Sequence, residues 1–133
     1  SEDEEITSDL AKLGAVLVCG YVERCVEVVV LERLQRRAHD RVLNFVKTHF
    51  KKGTNYNCEA ICQLLERFDP SWASSFRAEI ANSDQLISSL LSLYVLRNSI
   101  AHGGDQSLGL AGVEALYLDS KIIVRSLVKS TRE

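Results

Sequence analysis

The chain has 133 residues, 46% apolar and 26% charged, with a formal net charge of −2 at pH 7. That length and composition fit one soluble domain with its own core, and no apolar run approaches the roughly 20 residues of a membrane span. The charge is unevenly placed: the first ten residues hold five acids, leaving 16 bases against 13 acids in the remainder, a net +3 that permits contact with a polyanion without requiring it.

Residues 1–5 read as a disordered, frayed acidic lead-in. Thr7 or Ser8 is placed to cap a first helix, with Asp9 in the first turn suiting its dipole. From Leu10 onward, Leu13, Val16, Leu17, Gly20, Tyr21, Val28 and Leu31 fall near helical spacing. The Val-rich run 26–31 taken alone fits a strand, but its flanks, Glu23-Arg24 and Glu32-Arg33, lack turn residues, so helix is predicted there. Leu31, Leu34, Ala38, Val42, Phe45, Val46, His49 and Phe50 continue the apolar stripe into a second helix, which Gly53 and Asn55 stop. The other side of that helix carries Arg33, Arg36, Arg37, Arg41, Lys47, Lys51 and Lys52, with Asp40 the sole acid. Such a face is either simply solvated or a track for a polyanion backbone. In the second case Arg33, Arg37 and Arg41 are the candidate substrate-binding residues, and salt-dependent binding separates the two cases. His39 and His49, within the same helix, are read as structural.

Asn57 or Cys58 opens a short third helix through Ala60, Ile61, Leu64, Leu65 and Phe68. Asp69 caps the next, with Pro70 in its first helical position and Trp72 and Phe76 one turn apart facing inward. After a break at Asn82-Ser83-Asp84, the residues Leu86, Ile87, Leu90, Leu91, Tyr94 and Val95 form the stripe of a Leu-rich helix. Gly103, Gly104, Gly109 and Gly112 mark a mobile connection. The last helix runs from about residue 111 to 128, with Val113, Leu116, Tyr117, Ile123, Val124 and Leu127 apolar. Pro70 is the only proline, and neither a strand nor a repeat is legible, so the predicted class is all-α: a single domain over residues 1–133, a bundle of about five helices without a sheet. Cys19, Cys25, Cys58 and Cys62 lie in helical, apolar surroundings. Cys58 and Cys62 stand one turn apart, as zinc ligands can, but lack a second close pair, so small buried thiols are expected and neither metal nor cofactor. With no charged-then-apolar leader at the start, a cytoplasmic location is expected.

Chemistry concentrates in Arg97-Asn98-Ser99-Ile100-Ala101-His102-Gly103-Gly104. Arg is always charged and can hold two phosphate oxygens, and His titrates close to neutral pH. Residues five apart lie about 140° round a regular helix, so Arg97 and His102 diverge unless the last turn opens. The two glycines are expected to end the helix and let His102 swing toward Arg97. Each residue also has a quieter role open to it. Arg97 can neutralise Glu23 or Glu27 across the bundle, His102 can cap helix carbonyls, and Asn98 can tie down a loop. Asp105 is placed to orient the imidazole, and Glu23 to reach the cleft.

Arg97-x-x-x-x-His102, with Asn98 directly after the arginine, resembles the R-x(4-6)-H signature of HEPN domains. Gly20-Tyr21-Val22-Glu23-Arg24-Cys25-Val26-Glu27 resembles the long first helix of the RiboL-PSP-HEPN branch, and the likeness spans about residues 10–127. The resemblance implies a metal-independent RNA endonuclease, dimeric, with a composite cleft of two Arg and two His around one phosphate. In it Arg97 binds the scissile phosphate, His102 serves as acid or base, and Asn98 orients the phosphate or the partner's histidine. It further implies RNA and a second copy of the chain as partners, an antitoxin or regulatory protein as a third, and a role in prokaryotic defence or as a toxin. The competing expectation is a non-catalytic HEPN-like dimerisation or adaptor module that binds a protein partner or a nucleotide.

Overall fold

A computed structural model describes residues 1–104 and 108–132. They form six helices: α1 (Glu2–Leu34), α2 (Asp40–His49), α3 (Cys58–Phe68), α4 (Pro70–Ile80), α5 (Asp84–Ala101) and α6 (Leu110–Ser130). No strand occurs among the described residues, so the all-α class holds, with six helices where about five were expected.

Several boundaries follow from local capping chemistry. Residues 1–5 are the start of α1 rather than a frayed lead-in. The Ser1 hydroxyl accepts from the Glu4 amide, the Glu4 carboxylate accepts back from the Ser1 amine, and four acids occupy the first turn, where the helix dipole favours them. Thr7 is therefore not a cap; its hydroxyl donates to the Asp3 carbonyl inside the helix. The second helical segment begins at Asp40 rather than near Leu31, because residues 35–39 turn and His39, in extended conformation, caps α2 by accepting the Arg41 amide at its Nδ1. Asn57 caps α3 through the Ala60 amide, and Asp69 caps α4 through the Ser71 amide with Pro70 in the first position, as the sequence predicts.

The core lies where α1, α5 and α6 meet α3 and α4. Trp72 and Phe76 of α4 are buried as expected, with Ile61, Leu64 and Leu65 of α3 and Val113, Ile123 and Leu127 of α6. In α1 the buried positions are Ala11, Ala15, Val18, Cys19, Val22, Val26 and Val30. The stripe expected from spacing points the other way: Leu13, Val16, Leu17 and Val28 are exposed. The reason is the closeness of α6. It runs alongside α1 in the same direction, with Gly14 against Val113, Tyr21 edge-on to Tyr117 at 5.3 Å, and Arg33 bonded to Thr131. A Cβ at Gly14 would lie 2.9 Å from a Val113 methyl. At that spacing the core face takes small residues. In α5 the buried residues are Leu90, Leu93, Tyr94 and Leu96, while Ile87, Leu91 and Val95, expected in the stripe, face outward. Among the described residues, no helix is long and apolar enough to cross a membrane.

Candidate functional site

The C-terminal half of α5 crosses α1 at Cys19 and Glu23 and presents the motif there. Arg97 is braced on three sides. One terminal nitrogen donates to Glu23 Oε1 at 2.8 Å, the other donates to Asn55 Oδ1, and the guanidinium carbon stands 5.0 Å over the Tyr94 ring. Arg97 and Glu23 side chains are 24% and 25% exposed, so their pairing is partly shielded from water. Beneath them the Cys19 thiol donates weakly to the Leu93 carbonyl. Burial pushes that thiol up to about 11, with Arg97 opposing the shift and Glu23 adding to it. Burial likewise raises the Tyr94 phenol. The quieter role for Arg97, neutralising Glu23 across the bundle, is therefore present, and Glu23 does reach the site.

The end of α5 is fixed by glycine. His102 is the C-cap, and its amide donates to the Asn98 and Ser99 carbonyls. Gly103 takes φ +73°, its amide bonding to the Ile100 carbonyl at 3.1 Å, and the Gly104 amide bonds to the Ser99 carbonyl at 2.8 Å. This pair of bonds is the Schellman closure. A Cβ on Gly104 would lie 2.2 Å from Ser99 Oγ, so only glycine fits. The expected opening of the last turn does not occur. The helix stays regular through Ala101, Arg97 and His102 diverge by about 140°, and no hydrogen bond joins their side chains. Within one chain the structure does not bring the two together.

His102 and Asn98 are instead exposed and share a stripe with Leu91 and Val95, which are 51% and 63% exposed. Spacings of four, three and four residues place all of them on one face of α5. Asp105 lies outside the described residues.

The expected basic face is not one helix face. Arg33, in the last turn of α1, donates to Thr131 Oγ1 and to the Val128 carbonyl, both at 3.1 Å, so it closes the end of α6. Arg36 and Arg37 lie in the turn, and Arg41 lies in α2. Glu32, Arg33, Arg36, Arg37 and Thr131 line an open concavity of about 290 Å³, without Arg41. The helix break capped by His39 is what divides the run. His39 caps α2, and His49 ends it edge-on to Phe50. Cys58 and Cys62 are buried, and burial, then the neighbouring Cys62, pushes the Cys58 thiol up to about 12. Among the described residues no three His, Cys, Asp or Glu side chains group as a metal site.

Asn55 and the Tyr94 ring were not anticipated around Arg97. Asn55 reads in sequence only as a helix stop, and nothing local signals its pairing 42 residues away.

A family model, RiboL-PSP-HEPN, matches residues 1–133. The chain belongs to the RiboL-PSP-HEPN family. HEPN folds are often ribonuclease-related, and HEPN domains often dimerise and bind RNA. No curated protein and no solved structure matches the chain. In this HEPN domain the arginine of the motif is braced from within, while its asparagine and histidine stand on the outer surface.

Proposed function

We propose that this HEPN domain is a metal-independent RNA endonuclease that works as a two-fold dimer, in prokaryotic defence or as a toxin under the control of an antitoxin or regulatory partner. The observation that carries the reading is the division within the motif. Arg97 is held partly buried, while Asn98 and His102 lie on the one stripe of α5 whose apolar residues are uncovered. A second copy seated on that stripe would cover Leu91 and Val95 and bring the two copies of Asn98 and His102 face to face.

The chemistry follows from the group types. The 2′-hydroxyl oxygen attacks phosphorus as one His102 takes its proton. The bond from phosphorus to the 5′-oxygen breaks as the second His102, protonated, gives that oxygen a proton. The products are a 2′,3′-cyclic phosphate and a 5′-hydroxyl. Arg97 stabilises charge on the non-bridging oxygens. Its guanidinium has five N–H donors, and the bonds to Glu23 and Asn55 engage two of them. Asn98 orients the phosphate or the partner's imidazole.

The purified chain should cut single-stranded RNA in EDTA. His102→Ala should lower the rate by about 10²–10⁴-fold with an unchanged melting temperature, because the side chain is exposed. Cutting that persists in that variant, or that needs a metal, overturns the mechanism. The bracing of Arg97 by Glu23 and Asn55 favours one alternative, a non-catalytic adaptor in which Arg97 only joins α1 to α5. Under it the parent chain cuts nothing, Arg97→Ala lowers the melting temperature, and a protein or nucleotide partner is captured instead.

A further inference from the structure

A second cavity shares a wall with Arg97. It encloses about 240 Å³ and is lined by Gly20, Glu23, Glu27, Phe50, Lys52 and Tyr56, with Arg24 and Thr54 completing it. Glu23 belongs both to this lining and to the Arg97 pair, and Thr54 and Tyr56 flank Asn55, the other brace of Arg97. Whatever fills the cavity therefore lies next to whatever Arg97 holds.

Two features make it a place for a guest. Glu23 and Glu27 each accept from an arginine through one oxygen, and the second oxygen of each has no hydrogen bond among the described residues. Gly20 sits in the middle of α1, where glycine costs about 0.5–1 kcal/mol against alanine. Nothing lies within 4 Å of where its Cβ would be, so packing does not demand glycine there, while a side chain would project beside the cavity.

We propose that this cavity takes one base of the RNA beside the scissile phosphate, guanine in preference, read by the Glu27 carboxylate. Proteins that read single-stranded RNA splay bases into such pockets and bond to their edges. Guanine alone presents two adjacent donors, N1–H and the 2-amino group, to a carboxylate. Adenine and cytosine place a ring acceptor beside their amine, and uracil offers a single N–H between two carbonyls. The volume lies just below the roughly 300–1,000 Å³ of sites for drug-sized ligands, which suits one base. Phe50 offers an apolar wall, and Lys52 a cation for the backbone.

The proposal rests on the RNA reading above, and the experiment separates the two. Fluorescence anisotropy with the His102→Ala chain would use uridine heptaribonucleotides carrying a central guanine, inosine or uridine. Guanine should bind at least about fivefold tighter than uridine, with inosine, which lacks the 2-amino group, between them. Glu27→Ala and Gly20→Leu, which fills the cavity mouth, should each bring the three within about twofold at an unchanged or higher melting temperature. Equal binding of guanine and uridine heptamers, or a preference that survives both substitutions, overturns the proposal. A parent chain that cuts RNA without base preference keeps the nuclease reading and loses this one. Selective guanine binding without cutting does the reverse, and a chain that binds no RNA loses both.

Discussion

The two faces of α1 sort its apolar residues by size. Toward α6 and α5 it buries Ala11, Ala15, Val18, Cys19 and Val22; away from them it exposes Leu10, Leu13 and Leu17, the last at 63%. α5 divides by position and not by size, with Leu93 fully buried and Leu91, two residues earlier, half exposed. A tightly approached helix seam favours small side chains, since interiors are close-packed and a single added methyl is felt. The larger residues are left outside, where about half of each side chain stays in water. Large apolar side chains on the same stripe as Asn98 and His102 make sense when a second surface covers them.

The widest contrast this division predicts is between neighbours in α5. Leu93→Ala should cost about 2–5 kcal/mol of unfolding free energy, as for other fully buried leucines. Leu91→Ala should stay within about 0.5 kcal/mol in a dilute, monomeric sample, yet shift the monomer–dimer equilibrium toward monomer. Urea denaturation and sedimentation of the two variants measure both effects. Equal losses of stability would mean that the outward face of α5 is core after all.

That contrast also shows what the sequence could carry. Asn57, Asp69 and Pro70 were legible because caps act through the nearest amides, and their chemistry is local. The motif and its glycine stop were legible for the same reason, and the left-handed Gly103 is where the spacing puts it. The core face of α1 was not. An apolar helix of 33 residues carries apolar side chains all round, and only the proximity of α6 selects Ala11 and Ala15 over Leu13 and Leu17. Arg97 was identified as a chemical group, but its bracing by Asn55 depends on a loop that arrives from 42 residues away. The divergence of Arg97 and His102 was legible as helix geometry; the opening expected to cancel it was not realised, because Gly103 and Gly104 close the turn instead of loosening it.

The thiols of the buried side set a second, smaller test by pH. The Cys58 and Cys19 thiols are pushed up to about 12 and about 11, in both cases chiefly by burial. A group that holds its proton more tightly when folded contributes stability that is intact below its ordinary pKa and is lost as pH rises through the folded value. For these thiols that window opens near pH 9, the ordinary value, and closes near 11 for Cys19 and 12 for Cys58. The melting temperature should therefore fall on the alkaline side from about pH 9 upward. Cys58→Ala should flatten that fall even though it lowers stability at pH 7. An alkaline slope identical in the variant would show that the thiol is not shielded in the core.

The finest division lies between two glycines of one helix. Gly14 and Gly20 are six residues apart in α1, and each carries the same backbone entropy cost relative to alanine, about 0.5–1 kcal/mol. At Gly14 a methyl would stand 2.9 Å from Val113 Cγ1 in the α6 seam, and overpacking of that kind costs about 1–3 kcal/mol. At Gly20 a methyl meets nothing within 4 Å. Gly14→Ala should therefore be net destabilising, by about 1 kcal/mol once the helix gain is subtracted, whereas Gly20→Ala should raise stability by about 0.5–1 kcal/mol. Thermal melts of the two variants side by side report the sign directly. Opposite signs would place the close seam at Gly14 and open space at Gly20, where a mid-helix glycine then calls for a reason other than packing. A gain at both positions would mean that α6 yields at Val113, and with it would go the explanation of why α1 keeps its small residues inside.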